Sequence, residues 1–373
     1  MNKKSDTEAC PVREERLNKE FERRSTKQIA VGNVLIGGGA PVAVQSMTKT
    51  HTRDTAGTIA QIRTLEDAGC EIIRVAVPDT ESAAALKTIR ESIRIPLIAD
   101  IHFDHRLALA SLAHGVDGLR INPGNIGSAD KVREVVATAK EGDVPIRIGV
   151  NAGSLEKDIL QKHGGEASAE AMVESAMRHV RILEDLNFDR IKISLKASDI
   201  GRTLAAYRLM AEQVDYPFHA GITEAGTLIS GTVKSSVGMT LLLREGLVDT
   251  LRVSLTAPPE EEVRVAYLIL ASLGLRSRGV NFVSCPICGR CEIDLMPIAV
   301  EIEKKLVHLK KDITVAVMGC MVNGPGEAKE ADIGLACGRD AAVIFKKGRL
   351  LRRLDKEAIV PEFIAEILTL CRE

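Results

Sequence analysis

Three cysteines, Cys285, Cys288 and Cys291, stand at Cys-x-x-Cys-x-x-Cys spacing in SCPICGRCEIDL. A fourth, Cys320, lies in MGCMVNGPGE, a segment that ends on the carboxylate of Glu327. Thiolates select soft metals, so the pattern calls for an iron-sulfur cluster or zinc. A structural zinc site wants four closed ligands, and these four thiols can supply them. Gly319, Gly324, Pro325 and Gly326 instead give a backbone able to wrap closely round a bulky cluster. The remaining cysteines, Cys10, Cys70, Cys337 and Cys371, have no such spacing and read as packing or exposed thiols. With half of the 8 cysteines in two motifs, the chain looks like a metalloprotein of a reducing compartment and not a disulfide framework.

A second constellation is cationic. Arg74, Arg120, Arg147, Lys192 and Arg252 each fall in the middle of a short β-branched apolar run. Period two adds polar partners on the same faces: Asn122 to Arg120, Gly149 and Asn151 to Arg147, Ser194 and Lys196 to Lys192, and Ser254 to Arg252. Asp100 and His102 stand at the end of another run. Like charges about 4 Å apart repel by about 4 kcal/mol even at an effective dielectric near ~20, so something anionic must neutralise them. A phosphorylated or diphosphorylated ligand held by Arg and Lys is the economical answer. Ion pairs with Asp100, Asp117 or Asp249 are the bland one. Glu224, in GITEAG, is either a general acid facing that anion or a carboxylate in a first helical turn favoured by the helix dipole.

The elements that must position these groups are repeated βα units. Eight strand-like runs occur: PVAVQS at 41–46, EIIRVAV at 71–77, IPLIAD at 95–100, GLRIN at 118–122, PIRIGVN at 145–151, RIKISLK at 190–196, PFHAGIT at 217–223 and TLRVSLT at 250–256. Each precedes a segment of helical period, among them 55–68, 130–140, 169–186 and 259–273. Eight units in this length predict a closed (β/α)8 TIM barrel, whose C-terminal mouth is the usual place for ligands. An open doubly wound sheet is the alternative, but no GxGxxG or P-loop motif accompanies it. Gly37, Gly38 and Gly39 read as a turn in an N-terminal hairpin. Beyond Leu273 the register changes, and strands near 280–283, 313–317, 332–335 and 342–345 with helices near 295–304 and 361–370 predict a small α/β unit carrying the thiols.

Length and composition agree. At 373 residues and 45% hydrophobic content the chain fills one large core and one smaller one. The expected division is a charged N-terminal segment at 1–28, the barrel at 29–274 and the metal domain at 280–373. Lys and Arg total 50 against 51 Asp and Glu, so no basic field argues for nucleic acid. No run approaches the roughly 18 apolar residues of a membrane span, and the first residues lack the apolar core of a secretory signal, so a cytoplasmic protein is expected. The cationic run FKKGRLLRRLDKE at 345–357 reads as a solvated hairpin or as a dock for an acidic electron donor.

Taken together, SCPICGRC, MGCMVNGPGE, VQSMTKT, TRD, ADIHF, LRINPGN, RIGVNAGSL, KISLKAS, GITEAG and DTLRVSLT resemble the bacterial 4-hydroxy-3-methylbut-2-enyl diphosphate synthase family of the methylerythritol phosphate pathway to isoprenoids. The resemblance spans nearly the whole chain, and both NGPGE and the order of the barrel motifs are highly specific to it. It implies a 4Fe-4S enzyme, one cluster per chain, that reductively opens methylerythritol cyclodiphosphate and eliminates water with two electrons from ferredoxin or flavodoxin. It implies cluster ligation by Cys285, Cys288 and Cys320, with Glu327 as an exchangeable fourth ligand. Diphosphate contacts map to Arg53, Arg120, Arg147, Asn151, Lys196, Arg252 and Ser254, and the acid to Glu224, with Asp100 and His102 alongside. Arg74 and Lys192 remain structural. Cys291 departs from the family pattern as a rival to Glu327 for the last iron; Glu327 is expected to hold it, because catalytic metal sites keep an exchangeable position.

The resemblance also implies a head-to-tail homodimer in which one chain's cluster caps the other's barrel. The linker 274–279 looks too short to fold the second domain over its own mouth. The competing readings are a zinc-stapled, non-redox barrel enzyme acting on a phosphorylated metabolite and a non-catalytic, metal-stabilised binding protein. Radical S-adenosylmethionine chemistry is disfavoured, because its Cys-x-x-x-Cys-x-x-Cys spacing is absent.

Overall fold

Along each of the eight runs, residues of one parity are apolar and pack outward, while those of the other parity are largely polar. This alternation is unusual for parallel strands, which are normally apolar on both faces. A computed structural model describes residues 22–320, 324–339 and 341–372, without the side chains of Pro325 and Glu327. Two compact units divide between Arg276 and Ser277.

The first unit opens with an antiparallel hairpin, β1 (Ile29–Val31) and β2 (Val34–Ile36). The barrel strands follow: β3 (Ala43–Met47), β4 (Ile72–Ala76), β5 (Leu97–Asp100), β6 (Gly118–Arg120), β7 (Ile146–Asn151), β8 (Ile191–Lys196), β9 (His219–Ala220) and β10 (Thr250–Leu251). They form one parallel sheet in the order β8-β7-β6-β5-β4-β3-β10-β9, and an Ile193–Phe218 bridge closes it into a barrel. The helices between them are α1 (Thr55–Ala68), α2 (Thr80–Ser92), α3 (His105–Ala113), α4 (Ala129–Glu141), α5 (Lys157–Lys162), α6 (Ala169–Asp185), α7 (Ile200–Ala211), α8 (Leu228–Arg244) and α9 (Pro259–Ser272).

Local chemistry fixes where these helices start. Asp54, Asp79, Asp104 and Asp199 each accept a backbone N–H from the first turn of the helix that follows, and Ser168 does the same for α6. The main core lies between strands and helices. It holds Ile73, Val75, Leu97, Ala99, Ile146, Ile148, Ile191, Ile193 and Leu251 from the strands, with helical residues such as Ile62, Leu86, Val135, Met172 and Met239.

The hairpin packs on the N-terminal end of the barrel. Ile29, Val31 and Ile36 join Ala43, Ile72 and Ile98, residues at or near the starts of their strands, in a separate apolar cluster. Its turn is Gly32–Asn33, so the expected role of Gly37, Gly38 and Gly39 is corrected: they follow β2, all at positive φ. Gly32 has φ +55°, and a Cβ there would stand 2.9 Å from both Asp117 Oδ1 and Pro96 Cγ.

The second unit is a five-stranded mixed sheet in the order β11 (Val280–Ser284), β12 (Ile313–Met318), β13 (Ile333–Cys337), β14 (Ala341–Lys346) and β15 (Arg349–Asp355). The first three strands are parallel and the last two antiparallel. Helices α10 (Leu295–Leu306), α11 (Gly324–Glu330) and α12 (Ile359–Arg372) accompany them. Leu295, Ile302, Val315, Leu335, Ile344, Phe363 and Ile367 form its core. The cationic run at 345–357 is the β14–β15 hairpin, in which Arg352 pairs with Glu362 and, at 3.1 Å, with Glu366.

Candidate active site

Four neighbouring strands place charged residues side by side. In backbone register Asp100 pairs with Arg120, Arg120 with Arg147, and Arg147 with Lys192, so one row crosses β5, β6, β7 and β8. Arg74, Lys196 and Arg252 add three more cations from β4, β8 and the residue just after β10. Asp100, Arg74, Arg120, Arg147, Lys192 and Lys196 are all buried.

Asp100 is the hub for two of them. Arg120 Nη1 donates to its Oδ1 at 3.3 Å, and Arg74 Nε lies 3.6 Å from its Oδ2. Burial pushes the Asp100 carboxyl upward, but Arg74, Arg120, Arg147 and His102 outweigh it and leave the group below the ordinary aspartate value. His102 stands half-exposed within 3.2 Å of Arg120 Nη1; burial first, and then the Arg120 charge, lower its tendency to protonate. Arg120 also donates through Nη2 to the Gly149 carbonyl at 2.7 Å. Asn122 pairs its side-chain amide with both backbone groups of Gly149, at 2.9 and 3.1 Å, and so extends the β6–β7 ladder by one residue.

Arg252 has its own acid. Glu262 on α9 is buried, lies 3.3 Å from Arg252 Nη2 and accepts the Leu255 amide at 3.1 Å. Lys49 Nζ joins it at 3.2 Å and donates to the Leu255 carbonyl at 2.8 Å. Met47 Sδ lies between Arg74 and Arg252, at 2.8 and 3.5 Å. Sequence reasoning misses Glu262, Lys49 and Met47. The signal available for Glu262 is three consecutive glutamates opening a helix, which alone says only that a helix begins there.

The remaining cations have no acid. Among the described residues Arg147, Lys192 and Lys196 form no ion pair, and Arg147 Nε, Arg147 Nη1 and Lys192 Nζ are buried without hydrogen-bond partners. The expected alternative partners are committed elsewhere, since Asp117 binds Arg90 at 2.7 Å and Asp249 binds Arg23 at 2.7 Å. Burial, followed by the neighbouring arginines, holds the Lys196 amine well below the usual lysine value. Gly221 lets β9 and the Arg252 backbone approach closely, because a Cβ there would stand 2.6 Å from the Arg252 carbonyl oxygen. An interior with surplus positive charge and orphaned donors is the environment an anion with several oxygens satisfies.

The other expected site residues sit on the mouth loops or close to them. Asn151 ends β7, and Ser254 is partly buried beyond β10. Arg53 is exposed on the loop after β3, 3.8 Å from Glu81. Glu224 is exposed on the loop after β9 and lies outside α8, so the first-helical-turn reading is corrected. It holds φ +53°, in the left-handed region that a glutamate adopts only at a cost of roughly 1 kcal/mol or more.

In the second unit, Cys285 follows β11 and donates its backbone N–H to Val317 on β12 at 3.0 Å, which ties the thiol loop to the strand leading to Cys320. Cys288 is exposed, Cys285 and Cys291 are partly buried, and Cys320 is buried. Gly319 makes room beside them, since a Cβ there would stand 2.6 Å from Cys291 Sγ. Cys291 turns its thiol to the Ile293 carbonyl at 3.2 Å, and it packs with the domain core. Cys337 lies behind it, its thiol pushed up to about 12 by burial and by Cys291. Among the described residues no three His, Cys, Asp or Glu side chains converge as on a single ion. Soft thiol donors on two adjacent loops, with glycine rather than side chain between them, fit a bulky iron-sulfur group. Glu327 stands in α11, and its side chain lies outside the described residues, as do Met321, Val322 and Asn323.

Both units match known families in order. The profile described as GcpE TIM-barrel domain covers residues 26–267, and GcpE protein C-terminal domain covers 281–369. The chain is 59% identical over 345 residues to the 4-hydroxy-3-methylbut-2-en-1-yl diphosphate synthase (flavodoxin) of Geobacter sulfurreducens, spanning 92% of this chain and 98% of that protein. It is 57% identical over 354 residues to the protein of the same name from Maridesulfovibrio salexigens, spanning 95% and 99%. Among solved structures, the dihydropteroate synthase of Stenotrophomonas maltophilia aligns with 66% of this chain and 98% of its own, at a TM-score of 0.49 and 14% identity. The order of the two domains and the identity sustained across nearly the full length establish that the chain belongs to the GcpE family.

Proposed function

We propose that this chain is an iron-sulfur oxidoreductase that converts 2-C-methyl-D-erythritol 2,4-cyclodiphosphate to 4-hydroxy-3-methylbut-2-enyl diphosphate, opening the ring and losing one water. The observation that carries the substrate class is the set of interior cations, Arg147, Lys192 and Lys196, that no described carboxylate neutralises. The relatives' names supply the product and the electron donor, flavodoxin.

When bound, a 4Fe-4S cluster would supply a Lewis-acidic iron and pass on the donor's two electrons one at a time. Cys285, Cys288 and Cys320 would hold it, with Glu327 as the exchangeable fourth ligand. Cys291, turned to the Ile293 carbonyl, is assigned to the domain core and not to the cluster.

The barrel residues bind and orient. Arg120, Arg147, Lys196 and Arg252 take the diphosphate oxygens, with Asn151, Ser254 and Arg53 as further contacts at the mouth. Asp100 and Glu262 pair with Arg120 and Arg252 and hold them in place. Loss of the hydroxyl as water needs a proton, and Glu224 and His102 are the groups offered for it. The strained backbone of Glu224 supports a working role, because such strain persists where function requires a side chain at that place.

A homodimer whose two chains complete each other's sites, and a cytoplasmic location beside its donor, belong to the same reading. Among the described residues no helix is long and apolar enough to cross a membrane. Anaerobic purification with iron and sulfide quantified per chain, followed by electron paramagnetic resonance of the reduced protein with and without the cyclodiphosphate, tests the proposal. About four irons and a signal altered by the ligand are expected; one zinc and no iron would restore the zinc-stapled barrel.

A further inference from the structure

The loop after β6 bears on the anion site without belonging to it. Its short 3-10 turn, Pro123–Asn125, begins directly after Asn122, whose side-chain amide pairs with both backbone groups of Gly149. Arg120 rests on the same residue, donating to the Gly149 carbonyl at 2.7 Å. Where this turn is held therefore decides how Asn122 and Arg120 sit over Gly149. A buried side chain on α6, His179, holds it.

The backbone N–H of Gly124 donates to His179 Nδ1 at 3.1 Å. That nitrogen must carry a lone pair, so the ring hydrogen sits on Nε2. Nε2 lies 3.1 Å from Glu156 Oε1 in the loop after β7, and neither atom has another partner among the described residues. Ser175, one turn before His179 on α6, donates to Glu156 Oε2 at 2.7 Å. Burial pushes the Glu156 carboxyl up, but His179 and Ser175 outweigh it and hold the group down at about 2, so it stays a carboxylate. A carboxylate at Nε2 fixes the tautomer and leaves Nδ1 to accept, as it does behind a metal-bound imidazole.

Two further observations mark the contact as built. Ser175 and His179 are the only polar residues among the buried positions of α6, and both end on Glu156. Gly124 lets the turn reach the ring, because a Cβ there would stand 2.9 Å from His179 Cε1 and 3.2 Å from Nδ1.

We propose that His179 is a positioning residue of the anion site: through Gly124 it holds the loop after β6 so that Asn122 stays on Gly149 and Arg120 stays aimed at the diphosphate. This rests on the diphosphate reading above. Glu156 acts one step further back, by keeping the lone pair of His179 toward Gly124. Of these groups only Arg120 is assigned to the ligand, so breaking the chain of contacts shows as lost affinity.

The test is titration calorimetry of the cyclodiphosphate into the anaerobic, oxidised holoprotein without reductant, with thermal unfolding of each free protein alongside. Two substitutions separate the ring's nitrogens. His179→Asn keeps an acceptor at the place of Nδ1 and gives up Nε2; His179→Gln keeps a donor at the place of Nε2 and leaves the Gly124 amide without its partner. His179→Gln is expected to bind roughly tenfold more weakly than the native protein and His179→Asn within about threefold of it, whatever the two lose in melting temperature. Gly124→Ala leaves α6 intact and pushes the turn off the ring, so it should lose affinity as His179→Gln does, and it decides the matter if the His179 variants do not fold. Native affinity in His179→Gln or in Gly124→Ala, or equal losses in His179→Asn and His179→Gln, overturns the proposal and leaves His179 a core residue. Absence of binding to the native protein removes the diphosphate reading and this proposal with it.

Discussion

Arg120 lies across the backbone of Gly149: its Nη2 donates to the Gly149 carbonyl at 2.7 Å, and a Cβ on Gly149 would stand 2.5 Å from Arg120 Nε. The glycine therefore sets how far the guanidinium reaches into the barrel. Gly149→Ala pushes Arg120 off its present line and away from Asp100. We expect a folded protein whose cyclodiphosphate affinity falls by about tenfold to a hundredfold, measured by calorimetry, with iron content per chain unchanged.

Asp100 gives the first unit an acid-sensitive element. Its folded value lies below its unfolded one, so its contribution to stability is complete above the ordinary aspartate value of 3.8 and is lost as pH falls through the folded value. Urea midpoints measured from neutral pH downward should therefore drop at the acid end. Asp100→Asn removes the hub of two buried guanidiniums, should cost about 3 kcal/mol at neutral pH, and should flatten that acid limb. A variant with an unchanged acid limb would assign the sensitivity to other carboxylates.

Glu262 is expected to matter as much as residues that touch the ligand. Glu262→Gln keeps an acceptor for the Leu255 amide but removes the charge beside Arg252 and Lys49. The Michaelis constant should rise by roughly tenfold, and the turnover number should change far less, if Arg252 binds the ligand and Glu224 and His102 supply the proton as proposed.

At Glu224 the proposed acid role and the strained backbone can be separated by two substitutions. Glu224→Gly relieves the positive φ and should stabilise the first unit by about 1 kcal/mol in urea unfolding. Glu224→Gln keeps the strain and removes the acid. Both should lose turnover while calorimetric affinity for the cyclodiphosphate stays within a few-fold of the native value.

Cys291 separates the two readings of the thiol loop. Cys291→Ser should retain about four irons per chain and an unaltered resonance spectrum, because its thiol is turned to the Ile293 carbonyl. Cys285→Ser, Cys288→Ser and Cys320→Ser should each lose iron. If Cys291→Ser lost its iron while Glu327→Ala kept full turnover, the fourth ligand would be the thiolate.

The barrel is legible in the sequence because each strand carries its own signal, a short apolar run rich in β-branched residues, with its charged residues confined to one of the two faces in most of the runs. The cations are legible for the same reason: a charge in the middle of such a run has nowhere to point but inward. What the runs do not carry is the pairing across strands. That Asp100 serves both Arg74 and Arg120, and that Asp117 and Asp249 serve neither, depends on register and barrel closure. Glu262 is hidden because its helix start is an ordinary one, and only the return of α9 to the barrel puts it beside Arg252. The last strand, β15, is not delimited in the sequence, because Arg349, Arg352 and Arg353 obscure its period, although the run 345–357 reads as a solvated hairpin and β14 and β15 form one. Glu224 is placed at the correct loop by sequence, but its backbone strain has no trace in composition.

The β1–β2 hairpin makes the barrel a vessel with one door. With Ile29, Val31 and Ile36 sealed against Ala43, Ile72 and Ile98, nothing the size of a diphosphate passes through the base, and whatever goes in must come out the way it came. Product and substrate are then expected to share one threshold, and inhibition by added product should be competitive with substrate.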